Sequence, residues 1–275
     1  MKRQGIYTGA EEKQAGYDIE YNPNEKQALI VFCHGFNGFK DWGPFNLMEH
    51  YFVQNGFQFV KFNFSHNGTS PEQPMDFVDL GAFGNNNFEK EIYDIGALLE
   101  QLKNEDFASI IDFEKVFLIG HSKGGATALA YSLSHLGIVS CATLAGVLDP
   151  VSRYGKVNDK QWKENGVKYV VNGRTNQKMP MYYQLAVNTQ KIKDQLDIRN
   201  LLKADKRKFL FIQGAKDPAV PVTEVDLVKN LPNCTVAVFE EANHVFGASH
   251  PYESSDLPDD LQEALSQILK FFQSL

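Results

Sequence analysis

Lys115-Val-Phe-Leu-Ile-Gly-His-Ser-Lys-Gly-Gly-Ala-Thr-Ala-Leu-Ala-Tyr131 decides the fold of this chain. Its apolar run, Val116 to Ile119, reads as a buried strand. Its small-residue end, Gly125 to His135, reads as a helix. Between them lies Gly120-His-Ser122-Lys-Gly124, a G-x-S-x-G pattern set between strand and helix. In that setting the serine sits on a sharp, strained turn and lifts its hydroxyl above the sheet edge. Glycines at both ends let strand and helix close without a Cβ clash. The helix start then presents free N–H groups to any negative charge formed beside the serine.

Working outward in both directions, strands and helices alternate. Gln4–Thr8 and Gly16–Tyr21 read as an edge hairpin. Ala28–Cys33 is a continuous apolar run, the mark of a strand covered on both faces. It opens into His34-Gly35-Phe36-Asn37-Gly38, and Asp41–Gln54 follows as an amphipathic helix. Phe57–Phe64 is the next strand, residues 71–87 a loop, and Phe88–Asn104 a helix. Beyond the elbow come a strand at Ile138–Leu144, another at Lys208–Gln213, a helix at Glu224–Asn230, a strand at Thr235–Phe239 and a closing helix at Asp259–Phe272. This alternation predicts an α/β chain with a doubly wound, mostly parallel sheet, whose ligands bind beyond the carboxyl ends of the strands. Residues 147–205 break the rhythm and read as a cap inserted into a single domain, 1–275. Within it, Val167–Val171 followed by Asn172-Gly173 suggests a hairpin with a type I′ turn. Tyr183–Lys203 reads as a helical segment.

Composition narrows the function. The chain has 275 residues, enough for one sizeable core, and an apolar fraction of 43% typical of a globule. A formal charge of −7 argues against nucleic acid or an anionic membrane as partner. No apolar run reaches the ~20 residues that span a bilayer, and the start lacks the apolar core of a signal peptide. A cytoplasmic monomer or homodimer is the expectation. Cys33, Cys141 and Cys234 read as reduced packing residues in or beside strands. Neither H-E-x-x-H nor paired C-x-x-C occurs, so no metal site is expected.

The loops that converge on the strand ends carry a nucleophile, an acid and a base in the order Ser122, Asp217, His244. A serine hydroxyl needs a base to take its proton, and that base needs an acid to hold its tautomer. Serine, acid, histidine is the order that the elbow topology predicts. Asp149, after the strand that follows the elbow, is the rival acid. Asp217 is preferred because it lies in Gly214-Ala-Lys-Asp217-Pro-Ala-Val-Pro221. His121 points away from the elbow in a structural role, while His50, His135 and His250 read as surface or packing. The backbone N–H of Lys123 follows the nucleophile at the helix start and is a candidate oxyanion donor. Its side chain reads as a solvated cation.

The chain resembles the α/β-hydrolase superfamily along nearly its whole length, through His34-Gly35-Phe36, Gly120–Gly124, Gly214–Pro221 and Asn243-His244. Within it the pattern is most similar to bacterial carboxylesterases of the cinnamoyl and feruloyl esterase kind. The resemblance implies Ser122 as nucleophile, His244 as base and then acid, Asp217 as orienting carboxylate, and an oxyanion hole from the amides of Phe36 and Lys123. It implies no cofactor. His34, placed to bond loop backbone, joins Gly35, His66 and Tyr182 as candidates for substrate contact. The cap would add apolar and aromatic residues: Trp162, Tyr169, Met179, Met181, Tyr182 and Tyr183. The expected activity is cleavage of small-molecule carboxylic esters with a small or aromatic acyl group. The same triad would serve an amidase, peptidase or thioesterase, and an inactive binding protein is the reading from outside enzymes.

Overall fold

The computed structural model describes all 275 residues. Two antiparallel strands, β1 (Lys2–Thr8) and β2 (Gln14–Glu20), open the chain, and β3 (Gln27–Cys33) leads to the loop before α1 (Phe45–Gln54). Next come β4 (Gln58–Phe62), α2 (Leu80–Gly84), α3 (Phe88–Lys103), β5 (Ile111–His121), α4 (Lys123–Ser134) and β6 (Ile138–Leu144). Residues 147–205 contribute α5 (Pro150–Tyr154), α6 (Lys160–Asn165), the hairpin β7 (Val167–Val171) with β8 (Lys178–Tyr182), α7 (Gln184–Lys191) and α8 (Ile198–Ala204). β9 (Phe209–Gly214), β10 (Cys234–Phe239) and α9 (Asp259–Gln273) complete the core.

The main sheet has eight strands in the order β1-β2-β4-β3-β5-β6-β9-β10. It is parallel from β4 to β10 and antiparallel at β1 and β2. The expected doubly wound, mostly parallel architecture is present. Alternation along the central strands explains the layers. Leu29, Val31 and Cys33 of β3 face the same side as Val116 and Leu118 of β5, against α3 and α4. Ile30, Phe32, Phe117 and Ile119 face the other side, against α1 and α9. With both faces covered, each such side chain contributes about 1.5–3 kcal/mol of hydrophobic stabilisation.

Several elements depart from the sequence reading. The first helix starts at Phe45, because residues 37–44 form turns that bend the chain away from the β3 end. A short helix, α2, lies inside the expected loop, capped by Asp79, whose carboxylate accepts the Ala82 N–H at 2.8 Å. The expected helix at 224–230 is a 3-10 segment, Val222–Leu227. Tyr183–Lys203 is two helices, since Asp197 caps a new start at α8. The hairpin turn spans 172–177 and is not a two-residue turn. The Asn172 carboxamide accepts the N–H groups of Arg174 and Thr175, and the side-chain turn overrides the Asn-Gly preference.

Candidate active site

β5 runs out of the sheet straight into α4, and Ser122 sits at the junction with φ 55° and ψ −123°. A non-glycine residue there is strained, at a cost of about 1–3 kcal/mol. The surroundings hold it in place. The Ser122 N–H donates to the Leu144 carbonyl at 3.0 Å, and its own carbonyl accepts from Gly125 and Val147, each at 3.0 Å. The tightness of the turn explains its glycines. A Cβ on Gly120 would stand 2.5 Å from the Gly124 carbonyl oxygen, and one on Gly124 would stand 2.3 Å from that of His34.

The loop after β9 holds Asp217, which is buried. Its Oδ1 accepts the N–H groups of Ala219 and Val220 at 2.7 and 2.8 Å, and its Oδ2 accepts from Gln213 Nε2 at 3.0 Å. The loop after β10 brings His244 over it. His244 Nδ1–H donates to Asp217 Oδ2 at 2.7 Å, so Nε2 is left as the basic nitrogen. Burial pulls the Asp217 carboxyl upward, but hydrogen bonds from His244, Val220 and Ala219 outweigh it and hold the group below its usual range. The acid is therefore ionised and oriented at neutral pH.

Ser122 and His244 line one small cavity of about 140 Å³. Its other walls are Gly35, Phe36, Asn37 and Gly38 from the loop after β3, then Trp42, Phe45, His121 and Val245. The β3 loop adjoins the elbow closely, since a Cβ on Gly35 would stand 3.0 Å from that of Ser122. The Phe36 N–H donates to no group in the chain. As the first residue of α4, Lys123 has an N–H without an acceptor one turn earlier. Two free amides thus flank the serine.

The other histidines have structural partners. His34 Nδ1–H donates to the Gly35 carbonyl at 2.9 Å, and Nε2 accepts the Phe64 N–H at 3.3 Å, tying the β3 loop to the end of β4. Burial lowers its pKa to about 4. His121 Nε2–H donates to the His244 carbonyl at 3.0 Å. Burial and the adjacent His244 bring its pKa down to about 3, so it stays a neutral clamp on the base-bearing loop. His250 Nδ1 accepts the Gly43 N–H at 2.9 Å, and the ring stacks on Trp42, a cavity wall.

Of the four residues expected to contact substrate, only Gly35 lines the cavity. His34 is engaged as above. His66 is turned toward Ser65 and Glu11, with Nδ1 at 2.9 Å from the Ser65 hydroxyl and Nε2 at 3.2 Å from the Glu11 carboxylate. The Tyr182 ring packs on Gly84, where a Cβ would meet it at 2.7 Å. Asp149 pairs with no histidine and caps α5 through the Ser152 N–H at 3.0 Å. The insertion also differs from expectation, because none of its residues lines this cavity. Trp162 is buried with Nε1–H on the Met181 carbonyl, and Tyr169 is 61% exposed. Met179 instead packs with Phe39, Phe77 and Phe83, the cluster on which Phe36 rests. Met179 thus supports the β3 loop from behind.

The largest correction is Lys123, which is no solvated cation. Its side chain is buried, with Nζ 2.5 Å from Glu91 Oε2 and 4.3 Å above the Phe88 ring. Burial lowers its pKa, opposed by Glu91. Glu91 also accepts from Thr127 Oγ1 and Asn86 Nδ2, each at 2.7 Å. A helix-start lysine carried no sign of this, because its partner lies 32 positions earlier on α3. Asn37, Trp42 and Gln213 also escaped the sequence reading. Gln213 alone left a trace, as the one polar residue closing an apolar strand.

A family model described as the alpha/beta hydrolase fold matches residues 28–165. The chain belongs to the α/β-hydrolase fold family. Membership supports hydrolase activity. No curated protein matches the sequence. Among solved structures, Est1E from Butyrivibrio proteoclasticus with ferulic acid bound superposes with a TM-score of 0.72 at 15% identity, covering 98% of each chain. The mouse alpha/beta hydrolase domain-containing protein 10 gives 0.68 at 14% identity over 99% of each. An acylaminoacyl peptidase from Pyrococcus horikoshii gives 0.68 at 15%, covering 99% of this chain and 41% of that one. At these identities the likeness concerns the fold.

Proposed function

We propose that this chain is a serine hydrolase that cleaves carboxylic esters of small acyl groups through an acyl-enzyme. The observation that carries the reading is the 2.7 Å His244–Asp217 hydrogen bond, with His244 and the strained Ser122 on one cavity wall. Ser122 Oγ attacks the ester carbonyl carbon while His244 Nε2 takes its proton. The oxyanion that forms accepts hydrogen bonds from the Phe36 and Lys123 amides. Collapse breaks the bond to the alkoxy oxygen, and His244 returns the proton to the departing alcohol. Water then attacks the acyl-Ser122 carbonyl, giving its proton to His244, and Ser122 leaves with that proton as the acid is released. Asp217 stabilises the imidazolium and keeps Nε2 directed at the serine.

The cavity of about 140 Å³ beside Ser122 has room for an acyl group of about six heavy atoms and opens outward, so a hydroxycinnamoyl group is tested beside the short ones. The test is hydrolysis of p-nitrophenyl acetate, butyrate, octanoate and a hydroxycinnamate by wild type and Ser122→Ala. Turnover of the short esters that disappears in the variant is expected. Turnover that survives in Ser122→Ala would overturn the reading. An amide substrate is the second reading, supported by the peptidase among the structural neighbours, and an acyl p-nitroanilide hydrolysed faster than the matching ester would favour it.

A further inference from the structure

Two buried ionisable groups beside the nucleophile take no part in the proposed chemistry. Lys123 carries an oxyanion amide on its backbone, yet its side chain lines no part of the cavity and ends on Glu91 of α3. A buried ion pair is a poor source of stability, because well-packed apolar side chains of the same volume often serve as well or better. Its place in the fold points to another use.

The first turn of α4 reads Lys123-Gly124-Gly125-Ala126. Close packing requires both glycines. A Cβ on Gly125 would stand 2.9 Å from Gly146 Cα, and Gly124 is crowded by the His34 carbonyl. Glycine is a weak helix former, so this turn is loose in itself. It also begins at the strained Ser122, a conformation that persists only where the surroundings enforce it. Two polar side chains tie this end of α4 to α3. Lys123 and Thr127 stand one turn apart on one face, and both meet the same atom. Glu91 Oε2 lies 2.5 Å from Lys123 Nζ and accepts from Thr127 Oγ1 at 2.7 Å. Glu91 is itself fixed, being buried with Oε1 accepting from Asn86 Nδ2 at 2.7 Å.

We propose that Glu91 is a positioning residue for the oxyanion hole. By holding Lys123 and Thr127 at one point, it fixes the first turn of α4 and keeps the Lys123 amide aimed where the oxyanion forms. This rests on the serine hydrolase reading. An oxyanion donor acts through preorganisation, so an amide that drifts weakens transition-state binding more than substrate binding. A pair that served stability alone would act differently: its loss would lower the amount of folded enzyme and reduce every activity alike.

The experiment compares wild type with Glu91→Gln, which keeps the shape and removes the charge, and with Thr127→Val, which removes one tether and keeps the ion pair. Each is assayed on p-nitrophenyl acetate and on O-(p-nitrophenyl) thionoacetate, where C=S replaces C=O and sulfur is a weak acceptor. Active enzyme is counted by fluorophosphonate titration of Ser122 carried to completion. In Glu91→Gln, kcat/KM for the oxygen ester should fall about tenfold while the thionoester rate changes little, so the oxygen-to-sulfur ratio shrinks. Thr127→Val should shrink it less. Affinity for a trifluoromethyl ketone, whose adduct with Ser122 is an oxyanion, should weaken by the same factor as kcat/KM for the oxygen ester. A ratio and a ketone affinity equal to wild type in both variants overturn the inference, and Thr127→Val alone decides if Glu91→Gln does not fold. If wild-type Ser122 is labelled and the ratios do not move, the Glu91 inference alone has failed. If wild-type Ser122 takes no label, the hydrolase reading has failed first and this inference falls with it.

Discussion

Lys123 and Glu91 are 2% and 4% exposed, and they pair beneath the candidate nucleophile at 2.5 Å. Removing one partner of a buried ion pair leaves an uncompensated charge, typically at about 3–5 kcal/mol. The two single variants should differ. In Lys123→Met, Glu91 keeps its bonds from Thr127 and Asn86, so the loss should lie near ~3 kcal/mol. In Glu91→Leu, the lysine ammonium keeps only the Phe88 ring face, so the loss should approach the upper end, about 5 kcal/mol. The double variant replaces the pair with apolar groups and should be more stable than the sum of the singles predicts, with a coupling of about 1–3 kcal/mol. Urea unfolding of the four proteins at pH 7.5 gives the cycle directly. Single losses below about 1 kcal/mol, or strict additivity, would show that the pair is not the buried unit described.

Other perturbations address the elbow and its partners. Ser122→Gly removes the strain of a side chain at φ 55°, so it should raise stability by about 1 kcal/mol in urea melts while ester hydrolysis disappears. Asp217→Asn should keep the fold and lower kcat by about 10⁴-fold, because a carboxamide in place of the carboxylate favours the wrong His244 tautomer. The buried imidazoles set the acid limb of stability. The pKa values of His34 and His121 are held near 4 and 3, below the ordinary value of about 6.5. Between those limits the unfolded chain binds more protons than the folded one. The stability they contribute is therefore whole above pH ~6.5 and is lost as pH falls toward 4 and then 3. The urea midpoint should fall over that range, and His34→Gln should make the fall shallower.

Much of this was legible in the sequence because strong local rules and long-range topology agree. The continuous apolar runs at 28–33 and 116–119 could only be covered strands, and the glycines around Ser122 have one mechanical reading in a strand-to-helix turn. From those two facts the sheet places Asp217 and His244 at the same edge, where the structure joins them. The residues that sequence misplaced are those whose surroundings come from distant elements. His66 meets Glu11, and Tyr182 meets Gly84, on segments with no shared periodicity. Lys123 looked solvated because its pairing with Glu91 depends on how α3 packs on α4. Turn chemistry misled in another way: the Asn172 side chain captured two backbone N–H groups and lengthened the hairpin turn.

The central claim is that Ser122 is a nucleophile activated by His244 and held by Asp217. Peptide mapping after brief exposure to a fluorophosphonate tests it most directly. One adduct, on Ser122, is expected in wild type, with labelling strongly slowed in His244→Ala and absent in Ser122→Ala. No adduct, an adduct on another residue, or equal rates in wild type and His244→Ala would contradict the account.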